Sequence, residues 1–174
     1  MNTGTTIVAG IPIPSTSPAF LLGVAIHVLF GLVCVAAGAG AMLSRKGRGR
    51  HATFGAIYFW SITAVAGSAS ALAASRWAED WHLFILGVLA FVCAFTGRAV
   101  ARQKRANWPR WHIAGMGLSY IVLLTAFYVD NGRNLPVWRD LGPLAFWLGP
   151  AAIGLPLIGL ALLRHPVVRR HGPG

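Results

Sequence analysis

The stretch AFLLGVAIHVLFGLVCVAAGAGAML, Ala19 to Leu43, decides the fold of this chain. It runs for 25 residues without a charged side chain, and about 20 apolar residues in a helix are enough to cross the hydrocarbon core of a bilayer. Four more apolar stretches follow it. We therefore expect an all-α integral membrane protein with five transmembrane helices, at residues 19–43, 52–75, 83–97, 111–129 and 141–163. They form one domain, 19–163, between an outer extension, 1–18, and a basic tail, 164–174.

The composition excludes a soluble globule. The chain has 174 residues, of which 56% are hydrophobic, with 15 Lys and Arg against 4 Asp and Glu, so it lacks the polar surface to stay dispersed in water. A net charge of +11 would suggest nucleic acid in a soluble protein. Here the lipid bilayer is the expected partner, since anionic lipid at the membrane surface accounts for the charge, and we expect no nucleic-acid role.

The basic residues orient the helices. Twelve of the 15 lie in the loops after the first and third helices and in the tail. The opposite loops carry the remaining three together with all four acids, Glu79, Asp80, Asp130 and Asp140. By the positive-inside rule the basic face is cytoplasmic. The amino terminus is then expected outside and the carboxyl terminus inside.

Four histidines lie one on each of the first four apolar segments, at His27, His51, His82 and His112. His27 and His82 are expected near the outer face, and His51 and His112 near the inner face. Histidine is costly in a bilayer and usually functional there. The pattern predicts a pair of ligands at each of two levels.

An internal repeat supports this pairing. His27 precedes Gly31 in the first helix, and the second helix carries His51-Ala-Thr-Phe-Gly55-Ala-Ile-Tyr58; the third helix carries His82 and Gly87, and the fourth His112 and Gly117-Leu-Ser-Tyr120. Each half is a hairpin that enters from outside, with a basic loop between its helices. Hairpins repeated in parallel are related by an axis along the membrane normal. Equivalent histidines can then face each other, His27 with His82 and His51 with His112.

Haem is the cofactor that this arrangement favours, because its iron takes two axial imidazoles from facing helices. A flat porphyrin also needs small residues near each ligand, and four glycines stand four or five residues after the four histidines: Gly31, Gly55, Gly87 and Gly117. Arg50 and Arg110 at the inner face and Arg76 at the outer face are placed to meet haem propionates. The chain has no Cys-x-x-Cys-His motif, so we expect two haems of the non-covalent b type.

This plan resembles the ascorbate-reducible transmembrane di-haem cytochrome b family over residues 20–130, in ligand count, alternation and sidedness. The His51-x3-Gly55-x2-Tyr58 segment is also similar to a motif of bacterial predicted membrane proteins of unknown function, which points to a bacterial inner membrane. One departure is that His51 directly follows Arg50, so the inner pair is shallower than the resemblance implies. The resemblance implies transmembrane electron transfer, a transmembrane oxidoreductase activity, a quinone or small reductant as donor and a membrane redox partner.

Other interpretations stay open. Histidines at helix ends can anchor a helix among lipid headgroups, and a metal or proton site without haem is a further alternative. A small transporter would suit the parallel repeat, although no acid lies inside a predicted helix. An accessory subunit of a larger membrane complex is the remaining class. Cys34 and Cys93 are expected to be packing residues, and His165 and His171 receive no role.

The distribution of basic residues predicts which loops face outside. In a background with Cys34 and Cys93 replaced by Ala, cysteines introduced at Ser17 and Asn131 should react with an impermeant thiol reagent in sealed cells, whereas one at Gly47 should not. Labelling at Gly47 with protection of the other two positions would reverse the assignment of faces.

Overall fold

The computed structural model describes residues 4–8, 11–13, 17–47, 49–104 and 107–164. Within these ranges the predicted class is confirmed, since five helices are long and apolar enough to cross a membrane. They are α1 (Pro18–Leu43), α2 (Arg50–Ser75), α3 (Trp77–Gln103), α4 (Trp108–Asn131) and α5 (Pro143–Arg164). Short 3-10 turns at Gly132–Asn134 and Trp138–Asp140 connect α4 to α5. The tail from 165 onward, with His165 and His171, lies outside the described residues.

The segment before α1 contains an element that the sequence did not predict. Two three-residue strands, β1 (Thr6–Val8) and β2 (Ile11–Ile13), pair antiparallel with Thr6 opposite Ile13 and Val8 opposite Ile11. Both are rich in β-branched residues, which favour strands. At three residues each, the strands are too short to show a recognisable pattern beside the long membrane segments.

The first four helices extend beyond the apolar segments that predict them, whereas α5 begins at Pro143, two residues after its predicted start, because the 3-10 turn at Trp138–Asp140 precedes it. α3 begins six residues before Leu83 and ends six residues after Gly97. Glu79 and Asp80 stabilise its first turn because they face the positive end of the helix dipole, and Arg76 lies 3.5 Å from Asp80. Hydropathy marks the part of a helix that lies in lipid, whereas charges and caps decide where the helix ends.

Two compact units divide the chain, residues 1–84 and 85–174, with the boundary inside α3. In the first unit α1 and α2 form an antiparallel hairpin. Its interface is built from close contacts of small residues: Gly40 faces the ring of Phe54, and Gly23 faces Leu72. The loop between the helices turns at Gly47, whose φ of +139° is strained for other residues. Arg102, which the charge distribution also predicts on the basic side, is therefore a better cysteine position for labelling than Gly47.

In the second unit the closest backbone approach joins α3 to α4. A Cβ added to Gly115 would lie 2.8 Å from the Cα of Gly97 and 2.9 Å from the carbonyl oxygen of Cys93. Main-chain atoms cannot move aside as a side chain can. Glycine at Gly97 and Gly115 therefore lets the two helix backbones touch, as small residues do in membrane helix pairs.

Helix α5 packs on α4 through two reciprocal contacts. A Cβ on Gly117 of α4 would lie 2.6 Å from Ile158, and a Cβ on Gly154 of α5 would lie 2.4 Å from Ile121. Pro150 and Pro156 lie inside α5.

Buried positions are mostly small, while large apolar side chains point outward. Cys34, Ala94 and Ser119 have no exposed surface, whereas Leu43 is 89% exposed. This distribution suits lipid as the surrounding solvent, because packing of small residues rather than burial of large ones holds membrane helices together.

The Gly97–Gly115 contact predicts that even one methyl group destabilises the second unit. Gly115→Ala should lower the free energy of unfolding by about 1–3 kcal/mol, the usual cost of overpacking, and Tm in detergent should fall accordingly. Gly67→Ala is the matched control, since a Cβ there meets nothing within 4 Å, and its Tm should stay level or rise because Ala favours helix. Equal losses in the two variants would contradict the close approach.

Candidate haem site

His27 lies in the tenth position of α1, half-buried, and faces α2. Its Nδ1 atom is 3.0 Å from Oγ of Ser68. The Ser68 hydroxyl in turn lies 2.8 Å from the carbonyl oxygen of Ala64 and 3.1 Å from that of Val65. A hydroxyl has one proton. When that proton lies on a main-chain carbonyl, Ser68 Oγ accepts and the proton between the two side chains belongs to His27 Nδ1, which is the tautomer that we assign.

His51 makes the corresponding contact at the other end of the hairpin. It is the second residue of α2, and its Nδ1 atom lies 2.9 Å from the carbonyl oxygen of Ala41 in the last turn of α1. A carbonyl oxygen can only accept, so Nδ1 carries the proton. The shallow position predicted for His51 agrees with this placement.

His112 repeats the pattern in the second unit. It is the fifth residue of α4, and its Nδ1 atom lies 2.9 Å from the carbonyl oxygen of Gly97 in α3. The close approach of Gly97 and Gly115 brings this carbonyl within reach of the ring. The second helix of each hairpin thus places a histidine near its start against a main-chain carbonyl of the helix before it.

The two carbonyl contacts fix the tautomer of the neutral rings of His51 and His112, and we assign the same tautomer to His27. In a neutral imidazole one nitrogen carries the proton and the other a lone pair. With Nδ1 as donor in His27, His51 and His112, the lone pair is on Nε2. Histidines that bind a metal generally donate their other ring N–H to a carbonyl, carboxylate or water in this way, which orients the ring.

His82 is the sixth residue of α3 and is half-buried. Its ring lies 6.0 Å from that of Trp81, in an edge-to-face arrangement. His27, His51 and His82 fall in the first unit and His112 in the second. The pairing of His27 with His82, and of His51 with His112, stays a prediction.

The two histidines of the first hairpin lie at separate levels. His51 contacts the carbonyl of Ala41, which is 14 residues after His27 in the same helix. At a rise of ~1.5 Å per residue the two levels are about 21 Å apart along α1. A single metal ion cannot be held by both rings.

The glycines near the histidines fall into two groups. Beside Gly31 and Gly55, each four residues after a histidine, an added Cβ would meet nothing within 4 Å. Gly117 instead lies against Ile158, so helix packing already requires it to be small. Gly87 is half-buried on α3. In the first hairpin, therefore, the faces that carry Gly31 and Gly55 leave room for a flat group.

The three arginines predicted to meet propionates differ in their surroundings. Arg76 lies 3.5 Å from Asp80, so a carboxylate already balances its charge. Arg50 is exposed at the start of α2, and Arg110 is half-buried at the start of α4. The exposed Arg50 is better placed than Arg76 for a new anion.

Sequence reasoning missed the groups that orient the rings. Ser68 belongs to a run of Gly, Ser and Ala, a composition typical of residues that pack between helices. Main-chain carbonyls cannot be identified from a sequence at all. The sum of the two residue numbers is 95 for His27 with Ser68 and 92 for His51 with Ala41. If the two helices are aligned as an antiparallel hairpin in which the numbers of facing residues add up to about these sums, Ser68 is the polar residue opposite His27.

Comparisons with protein-family models, with curated proteins and with solved structures find no match to this chain. In the described part of the chain no group of three or more His, Cys, Asp or Glu side chains is placed to hold a metal ion. A site with two axial imidazoles needs only two such residues.

The hydrogen bonds predict the tautomer of each ring. In haem-free protein with ¹⁵N-labelled histidine, NMR should show His27, His51 and His112 protonated at Nδ1. Ser68→Ala should perturb the Nδ1–H signal of His27 alone, because it removes the acceptor. Ser70→Ala is the control: Ser70 lies two residues further along α2 and its hydroxyl donates to the Ala66 carbonyl. Equal changes in the two variants, or protonation at Nε2, would contradict the assignment.

Proposed function

We propose that the chain is a transmembrane electron-transfer protein that holds two b-type haems, each between two histidines. His27 and His82 bind the outer haem, and His51 and His112 the inner one. The observation that carries the proposal is the hydrogen bond at Nδ1 of three of the four histidines, since metal-binding histidines generally hydrogen-bond through the ring nitrogen that does not coordinate.

Haem iron would supply a one-electron redox couple, and two axial imidazoles leave no open position for oxygen. The chain contributes the geometry. The Ala41 and Gly97 carbonyls hold the inner rings, and the Ser68 hydroxyl holds an outer ring. Because a hydrogen bond to Nδ1–H makes the imidazole more basic, each acceptor also strengthens Nε2 as a ligand.

The space around the first hairpin supports the fit of a flat group. Gly31 and Gly55 stand one helical turn after their histidines and have nothing within 4 Å of an added Cβ. A porphyrin beside either ring would lie over such a glycine, since residues i and i+4 share a helix face. Arg50 and Arg110 stay the proposed partners of the inner propionates.

The two levels suit transfer between the two faces of a membrane. The levels of His27 and His51 are ~21 Å apart on one hairpin, so the redox groups would be displaced along the membrane normal. With the basic loops on the cytoplasmic side, the outer site would face a quinone or small reductant and the inner site a redox partner in the cytoplasm or membrane. We place the chain in the inner membrane of a bacterium with its amino terminus outside.

One observation favours a second function, an accessory membrane subunit or transporter without haem. At the end of α1, His51 shares the Ala41 carbonyl with Lys46, whose Nζ lies 3.1 Å from it, and Ser44 binds the Gly40 carbonyl. The last carbonyls of a helix need such partners. His51 would then serve as a cap of α1.

The absorption spectrum of purified protein distinguishes the two functions. From haem-supplemented cells the protein should be coloured, with low-spin, six-coordinate spectra in both redox states. His27→Ala and His82→Ala should each remove the same half of the haem, and combining them should add little because either change already breaks the shared site. His51→Ala and His112→Ala should remove the other half.

One control variant and two contrary outcomes make the result interpretable. His165→Ala changes a histidine outside the described residues and should keep the full haem content. A colourless, folded preparation would favour the accessory or transporter function over electron transfer. If His27→Ala and His82→Ala removed different redox components, the pairing would be wrong.

A further inference from the structure

The loop between α1 and α2 borders an open cavity, of which the haem proposal uses a single wall residue, Arg50. Its volume is about 790 Å³, within the range of small-molecule sites. Glycines form part of its wall, and the positive φ of Gly47 shapes the loop around it. The cavity lies wholly in the first unit, at the end of the hairpin that carries the basic loop.

The charged part of the wall is formed by three cations, Arg45, Lys46 and Arg50. No Asp or Glu is among the lining residues. The ion pairs within the described residues involve Arg76 with Asp80 and Arg139 with Asp140. The cavity therefore concentrates positive charge with no carboxylate of its own to balance it, which favours an anion.

Lys46 already binds main-chain carbonyls at the end of α1, which leaves the two arginines as the main anion ligands. Its ammonium lies 3.1 Å from the Ala41 carbonyl and 2.8 Å from the Met42 carbonyl, so it caps α1. Burial also lowers the pKa of this ammonium below its usual value. Both arginines are exposed, and each guanidinium presents a planar fork of donors that matches phosphate oxygens.

The opposite part of the wall is apolar. Leu43 is 89% exposed at the end of α1, and the Phe54 ring lies against Gly40, 3.1 Å from the position of an added Cβ. Both side chains line the cavity, at the end of a hairpin whose two helices are apolar enough to cross a membrane. One cavity thus offers cations beside an apolar wall, and in a bilayer the cations of a loop between two spanning helices would lie at the membrane surface.

From this juxtaposition we propose that the loop cavity is a binding site for the phosphate headgroup of an anionic phospholipid, held by Arg45 and Arg50 with its first acyl carbons against Leu43 and Phe54. A free phosphate would use the cations alone and would gain nothing from the apolar wall. A lipid uses both. The site goes beyond electron transfer and does not depend on haem.

Arg45 provides the test, because Arg50 is also a proposed propionate partner. Detergent-purified protein is titrated with phosphatidylglycerol, and bound lipid is counted by native mass spectrometry. Arg45→Gln should weaken binding about fivefold, as expected for one basic residue near an anionic surface. Arg102→Gln is the matched control. Arg102 is equally basic, is exposed at the end of α3 and lies outside the cavity wall, so its loss should leave binding unchanged.

Three results would overturn the proposal. Equal weakening by Arg45→Gln and Arg102→Gln would mean diffuse attraction instead of a site. Displacement of phosphatidylglycerol by the same concentration of inorganic phosphate would assign the cavity to a free anion. Binding of phosphatidylcholine as tightly as phosphatidylglycerol would remove the need for the arginines. Haem content is read in the same samples, so colourless protein that still binds phosphatidylglycerol at this site would refute electron transfer and leave the lipid site standing.

Discussion

The satisfaction of polar groups inside lipid is the constraint on which the rest of this structure depends. Each unsatisfied donor or acceptor in a bilayer costs several kcal/mol, so an intramembrane imidazole must find a partner. His51 and His112 find theirs in carbonyls of the preceding helix, and His27 finds Ser68 on the following one. These bonds join the two helices of a hairpin and orient the rings at the same time.

Much of the fold could be predicted because lipid imposes simple demands on sequence. Long uncharged stretches such as 19–43 have only one stable state in a bilayer, so the number and type of helices follow from hydropathy alone. The ends of α3 could not be found in this way, because its first and last six residues are polar enough to lie outside the apolar segment. The short strands β1 and β2 were missed since three residues carry too little pattern to read.

The histidine ligands of the candidate site could be predicted from the sequence, whereas the groups that orient the histidine rings could not. Histidine is rare enough in membrane segments for four of them to stand out, whereas Ser68 is one of several hydroxyl residues in α2 and the Ala41 and Gly97 carbonyls are invisible in a sequence. The glycines show a related limit. Gly55 and Gly117 look alike in the repeat, yet the first faces open space and the second faces Ile158. Only the packing of α5 separates them.

The contacts between α4 and α5 have a mechanical consequence. Ile158 packs against Gly117, and Ile121 packs against Gly154. Each helix therefore contributes one glycine and one isoleucine to the contact, at matching levels. Sliding α5 by one turn would move each isoleucine off its glycine and against a bulkier residue, and rotating α5 would separate both pairs. The two helices therefore behave as one rigid pair. Any movement within the second unit that accompanies function must carry them together.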